Sequence, residues 1–256
     1  MNCRICQAET KKIFNQQVLN KYNVDYFKCP NCDYIQTENP YWLPESYESS
    51  INTTDTGIMA RNINVADLTS LIIYWYFDRD ATFLDYAGGY GIFTRLMRDM
   101  GFDFYWHDKY SPNLLARGFE FSEKPNKQIE LITSFESFEH FENPLAEIEG
   151  MLSISKNIFF STMLVPDPLP APEKWEYYGT DHGQHISLYS LKNLEYIAKK
   201  YKLYFYTNNK NLHIFSEQKL PYFNFGLLYQ LRRFGFIKLI KRKLKGKTAS
   251  DQLLIK

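Results

Sequence analysis

The four cysteines of this chain fall within its first 32 residues, as Cys3-x-x-Cys6 and Cys29-x-x-Cys32. Each pair sets two thiolates one turn apart, able to grip one side of a tetrahedral ion. Four thiolates close the coordination sphere, which describes structural zinc and not a catalytic centre. The alternative is a pair of disulfides, which a reducing cytoplasm disfavours. A second group is His182 and His185, three apart in a loop crowded with Trp175, Tyr177, Tyr178 and Tyr189. Two such imidazoles can ligate a metal, act as acid and base, or cap backbone groups. Histidine titrates near neutrality, so it suits removal of a proton from a hydroxyl. A third group is the run Asp85-Tyr86-Ala87-Gly88-Gly89-Tyr90-Gly91. Its small residues let the backbone turn sharply and leave room for a ligand against it.

These groups need elements to hold them. Phe83 and Leu84 lead into Asp85, and Ile92–Met100 has helical spacing, so the stretch reads as strand, tight turn, helix. Residues 102–106 read as a second strand that ends at Asp108, where a carboxylate can accept both hydroxyls of a ribose. Gly101 suits the helix C-terminus between them. Residues 58–77 carry a long helical pattern, with Ile58, Met59, Val65, Leu68, Leu71, Ile72 and Trp75 on or near one stripe. Residues 128–135 read as a third strand and run into Glu136-Ser137-Phe138-Glu139-His140. Pro144 opens another helix, and 157–162 another strand. Ser190 caps a helix over 191–200. Strands at 203–206 and 212–216 flank Asn208-Asn209-Lys210, a hairpin signal. Strands and helices alternate up to that hairpin, which describes an open α/β sheet.

The pattern apolar-apolar-Asp-x-Gly-x-Gly-x-Gly with a later acid resembles motif I of class I S-adenosylmethionine (SAM) dependent methyltransferases. Ala87 stands where the first glycine of that motif is usual, a mild departure. The resemblance implies a Rossmann-like open sheet with a closing antiparallel hairpin. It also implies SAM as cofactor, lying across Asp85, Ala87, Gly88, Gly89 and Gly91, with Asp108 on its ribose. Phe119 would then wall the adenine, and Phe135 would lie at the strand end beside the methyl group. Arg61, near the start of the helix over 58–77, meets the SAM carboxylate or is a solvated helix residue. Glu139-His140-x-x-x-Pro144 is similar to an "EH-x-x-x-P" signature of small-molecule methyltransferases. Glu136, Glu139 and His140 also reproduce the Glu-x-x-Glu-His spacing of ubiquinone-pathway O-methyltransferases. There it can hold a divalent cation; otherwise Glu139 and His140 bond their own loop. The segment from Trp175 to Tyr189 resembles the substrate loop of bacterial sugar and surface-polysaccharide methyltransferases. In that resemblance His185 is the better match and His182 the second, either serving as the base; Glu136 is a further catalytic candidate.

The amino-terminal segment looks like a zinc ribbon, with residues 22–28 alternating as a strand between the cysteine pairs. A segment this short has too little core to fold without metal. Asn39-Pro40-Tyr41-Trp42-Leu43-Pro44 then reads as a rigid linker, and 49–56 as a polar loop. The expected division is 1–45 as ribbon and linker, 46–217 as methyltransferase domain, and 218–256 as a basic amphipathic segment. Residues 232–247 hold eight Lys or Arg and no acid, interleaved with apolar residues. Such a helix lies on anionic lipid or docks by its apolar side on its own domain. The net charge of +1 supplies no global field toward nucleic acid. No apolar run approaches the roughly 18 residues a membrane span needs, and no apolar leader follows Met1. The expectation is a cytoplasmic enzyme, with contact at the inner membrane face as an option. It would O-methylate a sugar, nucleotide-sugar or surface-polysaccharide unit. Carbon methylation of a keto-sugar and a nucleic-acid acceptor remain the alternatives.

Overall fold

The structure is a computed structural model that describes residues 1–47, 55–123 and 128–255. Most of the polar loop expected over 49–56 lies outside the described residues. The strands are β1 (Lys11–Val18), β2 (Tyr22–Lys28), β3 (Ile35–Thr37), β4 (Thr82–Tyr86), β5 (Asp103–His107), β6 (Ile129–Ser134), β7 (Ile158–Ser161), β8 (Ser187–Leu188), β9 (Tyr204–Thr207) and β10 (Leu212–Ser216). The helices are α1 (Leu43–Ser46), α2 (Ile58–Tyr76), α3 (Ile92–Met100), α4 (Pro144–Ile154), α5 (Leu191–Lys200), α6 (Phe225–Arg233), α7 (Phe236–Lys243) and α8 (Thr248–Leu254). One sheet has the strand order β5-β4-β6-β7-β10-β9. In it β4 runs parallel to both β5 and β6, and β9 with β10 closes it as an antiparallel hairpin. This is the Rossmann-like α/β sheet of the class I methyltransferase fold. A second, four-stranded sheet has the order β1-β2-β3-β8.

The chain divides into two compact units. One contains residues 53–135, 151–159 and 219–256. The middles of its strands β4, β5 and β6 are buried, with Phe83, Leu84, Phe104, Leu131 and Ile132 fully so, as central parallel strands require. Helix α3 begins after Gly91 and ends at Gly101, both in the left-handed region, and the amides of Gly101 and Phe102 close its last carbonyls. Helix α2 buries Leu68, Leu71 and Ile72 but leaves Met59 and Trp75 largely exposed. Burial instead runs continuously over Leu68–Ile73, where α3, α6 and α7 pack on the helix. Arg61 pairs with Asp55 on the surface, the solvated alternative.

The basic segment of this unit is three helices, broken at Gly235 (φ +78). Leu228, Ile237 and Ile240 are buried, and α6 and α7 pack on α2. Arg232 pairs with Asp67, and the Lys243 ammonium donates to the Tyr74 hydroxyl. Ile237 and Ile240 are therefore docked on their own unit, while Phe234, Lys238, Leu239 and Lys241 stay exposed. Among the described residues no helix is long and apolar enough to cross a membrane.

The other unit contains residues 1–52, 136–150 and 160–218. Strands β1 and β2 form a hairpin, β3 adds to β2, and the short β8 adds to β3 through Ile35 opposite Leu188. Val18, Val24, Tyr26, Ile35 and Trp42 share one core with Tyr178, Ile186 and Leu188. The amino-terminal segment is thus not a free-standing ribbon. Its apolar face is covered by the aromatic loop that carries His182 and His185.

Candidate functional site

In the first unit, the glycine turn between β4 and α3 is held from three sides. Asp85 is 2% exposed; its Oδ2 accepts from the Thr94 hydroxyl at 2.8 Å, and its Oδ1 faces the Thr133 hydroxyl at 3.4 Å. Asp85 is therefore a brace under the turn and presents no free carboxylate to a ligand. A Cβ on Gly88 would come within 2.6 Å of Asp85 Oδ2 and 2.8 Å of the Trp106 ring, so only glycine fits there. Gly89 (φ +53) has nothing within 4 Å of where a Cβ would sit, so the turn is open on that side. Ala87 holds φ +58. A non-glycine residue in that region costs about 1 kcal/mol, so the departure from the motif is less mild than its size suggests. Asp108 lies just past β5. Its Oδ2 accepts from the Gly89 amide at 2.9 Å, and its Oδ1 from the Tyr110 and Ser111 amides at 2.7 Å each. The carboxylate ties the two loops together, and a ribose would have to share these bonds.

Phe119 sits differently from expectation, and Phe135 lies at the end of β6 as expected. Phe119 is 3% exposed, with the Arg98 guanidinium 3.5 Å from its ring centroid. It has no free face for an adenine, because Arg98 is drawn over it by Asp251 and Asp103. Phe135 is half-buried and packs edge-on against Phe93 and Phe159, at 5.0 and 5.1 Å between centroids.

Burial pushes the Asp85 carboxyl up to about 7; the Asp108 charge adds to this, and the two threonine hydroxyls oppose it. An unfolded aspartate titrates near 3.9. Between about pH 4 and 7 the folded chain therefore holds a proton that the unfolded chain has lost. Stability from this group is full below pH 4 and falls as pH rises to 7, by up to about 4 kcal/mol. The stability of the wild type relative to Asp85→Asn should accordingly decline over that window in denaturant titrations. A flat difference would show that Asp85 ionises normally.

In the second unit, three imidazoles and two carboxylates gather. His185 Nδ1 donates to the Tyr177 carbonyl at 2.6 Å, so its Nε2 carries a free lone pair. Burial holds its pKa well below 6.5, with the His140 and His182 rings adding to the effect, so the ring is neutral at pH 7. His182 is arranged the other way. Its Nδ1 accepts the Gln184 amide at 3.2 Å, which spends its lone pair on the loop and leaves the proton on Nε2. The structure thus leaves the Nε2 lone pair of His185 available and makes His182 a brace. Gly179 (φ +61) permits this packing, because a Cβ there would lie 2.6 Å from the His182 ring. His140 faces His185 edge-on at 5.1 Å, and its Nδ1 lies 3.2 Å from the Tyr47 hydroxyl. Burial lowers its pKa to about 3.

Glu136 and Glu139 have unlike surroundings. Glu136 is exposed, holds a left-handed φ of +51, and accepts the Ser161 hydroxyl at 2.6 Å while its amide donates back to the same oxygen. Glu139 is 1% exposed, and among the described residues neither of its oxygens has a hydrogen-bond partner. Burial, then the Glu136 charge, raises its pKa to about 8. Glu139, His140 and His185 can bring one ligand atom each within 4.8 Å of one another, a grouping that leaves Glu136 out.

The cysteines are also in this unit, and all four are free thiols. Cys3 and Cys32 sulfurs are 3.6 Å apart, and Cys6 and Cys29 sulfurs 3.4 Å. Sulfurs around one tetrahedral zinc at 2.3 Å are about 3.8 Å apart. The two pairs are built alike: the Gln7 amide bonds the Cys3 carbonyl and the Asp33 amide bonds the Cys29 carbonyl. Gln7 (φ +63) and Asp33 (φ +59) both turn left-handed just past the second thiol. The donor set and spacing fit a zinc ion held by four thiolates.

Residues 59–206, more than half of the chain, match the family model described as "Methyltransferase domain". The chain belongs to this family. The methyltransferase domain so matched includes the glycine turn, Asp108, the 136–140 run and the histidine loop. Similar solved structures include that of TnmH, at 12% identity and a TM-score of 0.44, covering 62% of this chain and 57% of that one. Another is an O-methyltransferase family 2 protein from Planctomyces limnophilus in complex with apigenin, at 11% identity and a TM-score of 0.43, covering 69% and 65%. A third is magnesium protoporphyrin IX methyltransferase from Synechocystis with bound SAH, at 12% identity and a TM-score of 0.45, covering 70% and 97%. The chain spans under two thirds of the length of the first two. No curated protein sequence matches it.

Sequence reasoning did not find Tyr177, whose carbonyl sets the His185 tautomer, or Asp251, which anchors Arg98. A main-chain acceptor leaves no trace in residue type, and a lone aspartate in a basic tail looks like any surface acid.

Proposed function

We propose that this protein is a SAM-dependent methyltransferase that methylates a hydroxyl of a small-molecule or glycan acceptor, most closely a sugar, nucleotide-sugar or surface-polysaccharide unit. The observation that carries the reading is the family match over residues 59–206. SAM supplies an electrophilic methyl group when bound. Gly88, Gly89 and Gly91 form the turn that receives it, Asp85 braces that turn, and Asp108 is the acid for its ribose. The acceptor hydroxyl is activated at the Glu139, His140 and His185 cluster, where His185 keeps its Nε2 lone pair available. The sugar class rests on the resemblance of the 175–189 segment. Cys3, Cys6, Cys29 and Cys32 hold structural zinc in the same unit as that cluster.

Calorimetric titration with SAM tests the donor half. One binding event is expected, and its absence removes the reading. Replacing His185 with Asn should leave SAM binding intact and lower turnover on a sugar acceptor by roughly 100-fold or more. Unchanged turnover would take His185 out of the reaction.

A further inference from the structure

We propose that Glu139, His140 and His185 form a divalent transition-metal site, separate from the four cysteines. The inference starts from the orphaned carboxylate. A buried carboxylate with no donor on either oxygen is costly unless a charge faces it. Among the described residues, Glu139 has no donor at hydrogen-bonding geometry on either oxygen; the Tyr177 and Thr162 hydroxyls lie near enough to favour its charge, and two imidazoles stand beside it. Donors bound to one ion at about 2.1 Å lie roughly 3 to 4 Å apart, so atoms already within 4.8 Å need only a small contraction.

The supporting contacts are those a ligating histidine needs. Nδ1–H of His185 is anchored on the Tyr177 carbonyl, which fixes ring orientation and frees Nε2. The Tyr47 hydroxyl stands at Nδ1 of His140 and can accept its proton. The two ligand-bearing segments are stitched together on either side of the site. The Ile186 amide donates to the Glu139 carbonyl at 2.9 Å, and the Ser187 hydroxyl donates to the Phe141 carbonyl at 2.6 Å. The ligands are therefore held by backbone, not by loose side chains.

Glu136 is not a ligand here. Its carboxylate is turned to the surface and takes the Ser161 hydroxyl. The site thus departs from a Glu-x-x-Glu-His set: His185, brought from 45 residues away, replaces the first glutamate. One carboxylate and two imidazoles suit Mn²⁺, Fe²⁺, Co²⁺, Ni²⁺ or Zn²⁺, whereas Ca²⁺ and Mg²⁺ take oxygen shells. Three protein ligands leave positions open for an oxygen donor. On the methyltransferase reading, on which this last clause alone rests, that donor is the acceptor hydroxyl. His185 then acts through the ion and not as a free base.

Cobalt separates this site from the cysteines. Co²⁺ is added to full-length protein that carries one zinc per chain, at the cysteines alone, and is followed by visible absorption. Ligand-field bands that saturate at one equivalent, without a near-ultraviolet thiolate charge-transfer band, are expected. Glu139→Gln and His185→Asn should each weaken Co²⁺ binding at least tenfold while zinc content and the near-ultraviolet circular dichroism stay as in wild type. Glu136→Gln should leave it unchanged. No cobalt bands, bands with thiolate charge transfer, or equal affinity in Glu139→Gln would each overturn the site. If the variants lose zinc and fold, Tyr47→Phe serves instead, with a smaller weakening expected and equal affinity again counting against the site. SAM titration of the same samples keeps the two ideas apart, because cobalt binding without SAM binding rejects only the transferase reading.

Discussion

Replacing Asp251 with Ala should destabilise the unit built on α3 by about 3–5 kcal/mol, because it strands a buried cation. Arg98 is 2% exposed in the last turn of α3. Its Nε and Nη2 donate to the two Asp251 oxygens at 2.8 and 2.7 Å, a bidentate pair. Nη1 donates to Asp103 and to the Phe104 carbonyl, and Arg95 adds a second cation 2.9 Å from Asp251. Removing Asp251 leaves Asp103 as the one acid bonded to Arg98. Exchanging both partners for apolar residues, as in Arg98→Met with Asp251→Leu, should cost far less. The pair also has a pH signature. Burial alone would raise the Asp251 carboxyl, but the bonds and charge of Arg98, with Arg95 after it, more than offset this and leave it lowered. Its contribution is therefore complete above about pH 4 and is lost as the pH falls through the folded value. Native-state hydrogen exchange of α3 and α8 amides is the measurement, since a chain of two units need not unfold in one step. A loss under about 1 kcal/mol in Asp251→Ala would show the pair to be solvated.

The second large effect is expected from zinc. Metal analysis of the native protein should find about one thiolate-bound zinc per chain, and Cys32→Ser should lose it. Structural zinc binding is worth on the order of 10 kcal/mol in small domains. Here the consequence reaches beyond the amino terminus. The sheet β1-β2-β3-β8 includes Ser187–Leu188, and its core includes Tyr178 and Ile186. Zinc removal by a strong chelator should therefore expose amides over 11–37 and over 178–188 together. Zinc-free protein with both segments protected, or with disulfides in place of thiols, would reject the metal.

These effects differ in how far they could be foreseen. The thiol pairs, the strand-turn-helix around Asp85, the helix over 191–200 and the hairpin after it were legible in the chain, because each is a local pattern. Period, caps and fixed spacings act over a few residues and survive without knowledge of the rest. Phe119 was misplaced because its environment depends on Arg98 and, through it, on Asp251, which is 153 residues further along than Arg98. The width of the α2 stripe failed for a similar reason, since burial at its ends depends on what covers them.

By itself, then, the order of residues determined the α/β class, the glycine turn and the pairing of the four thiols. Tertiary structure alone decided which groups of the histidine loop are usable. His182 and His185 are the same residue type three apart, yet one imidazole bonds an amide and the other a carbonyl. That choice fixes opposite tautomers. It comes from a main-chain atom of Tyr177 and from the glycine at 179 that lets both rings tuck beneath the turn. Glu139 and Glu136 diverge likewise: one carboxylate is buried without a donor, the other solvated on Ser161. Burial and hydrogen-bond direction are properties of packed surfaces, and no spacing along a chain encodes them.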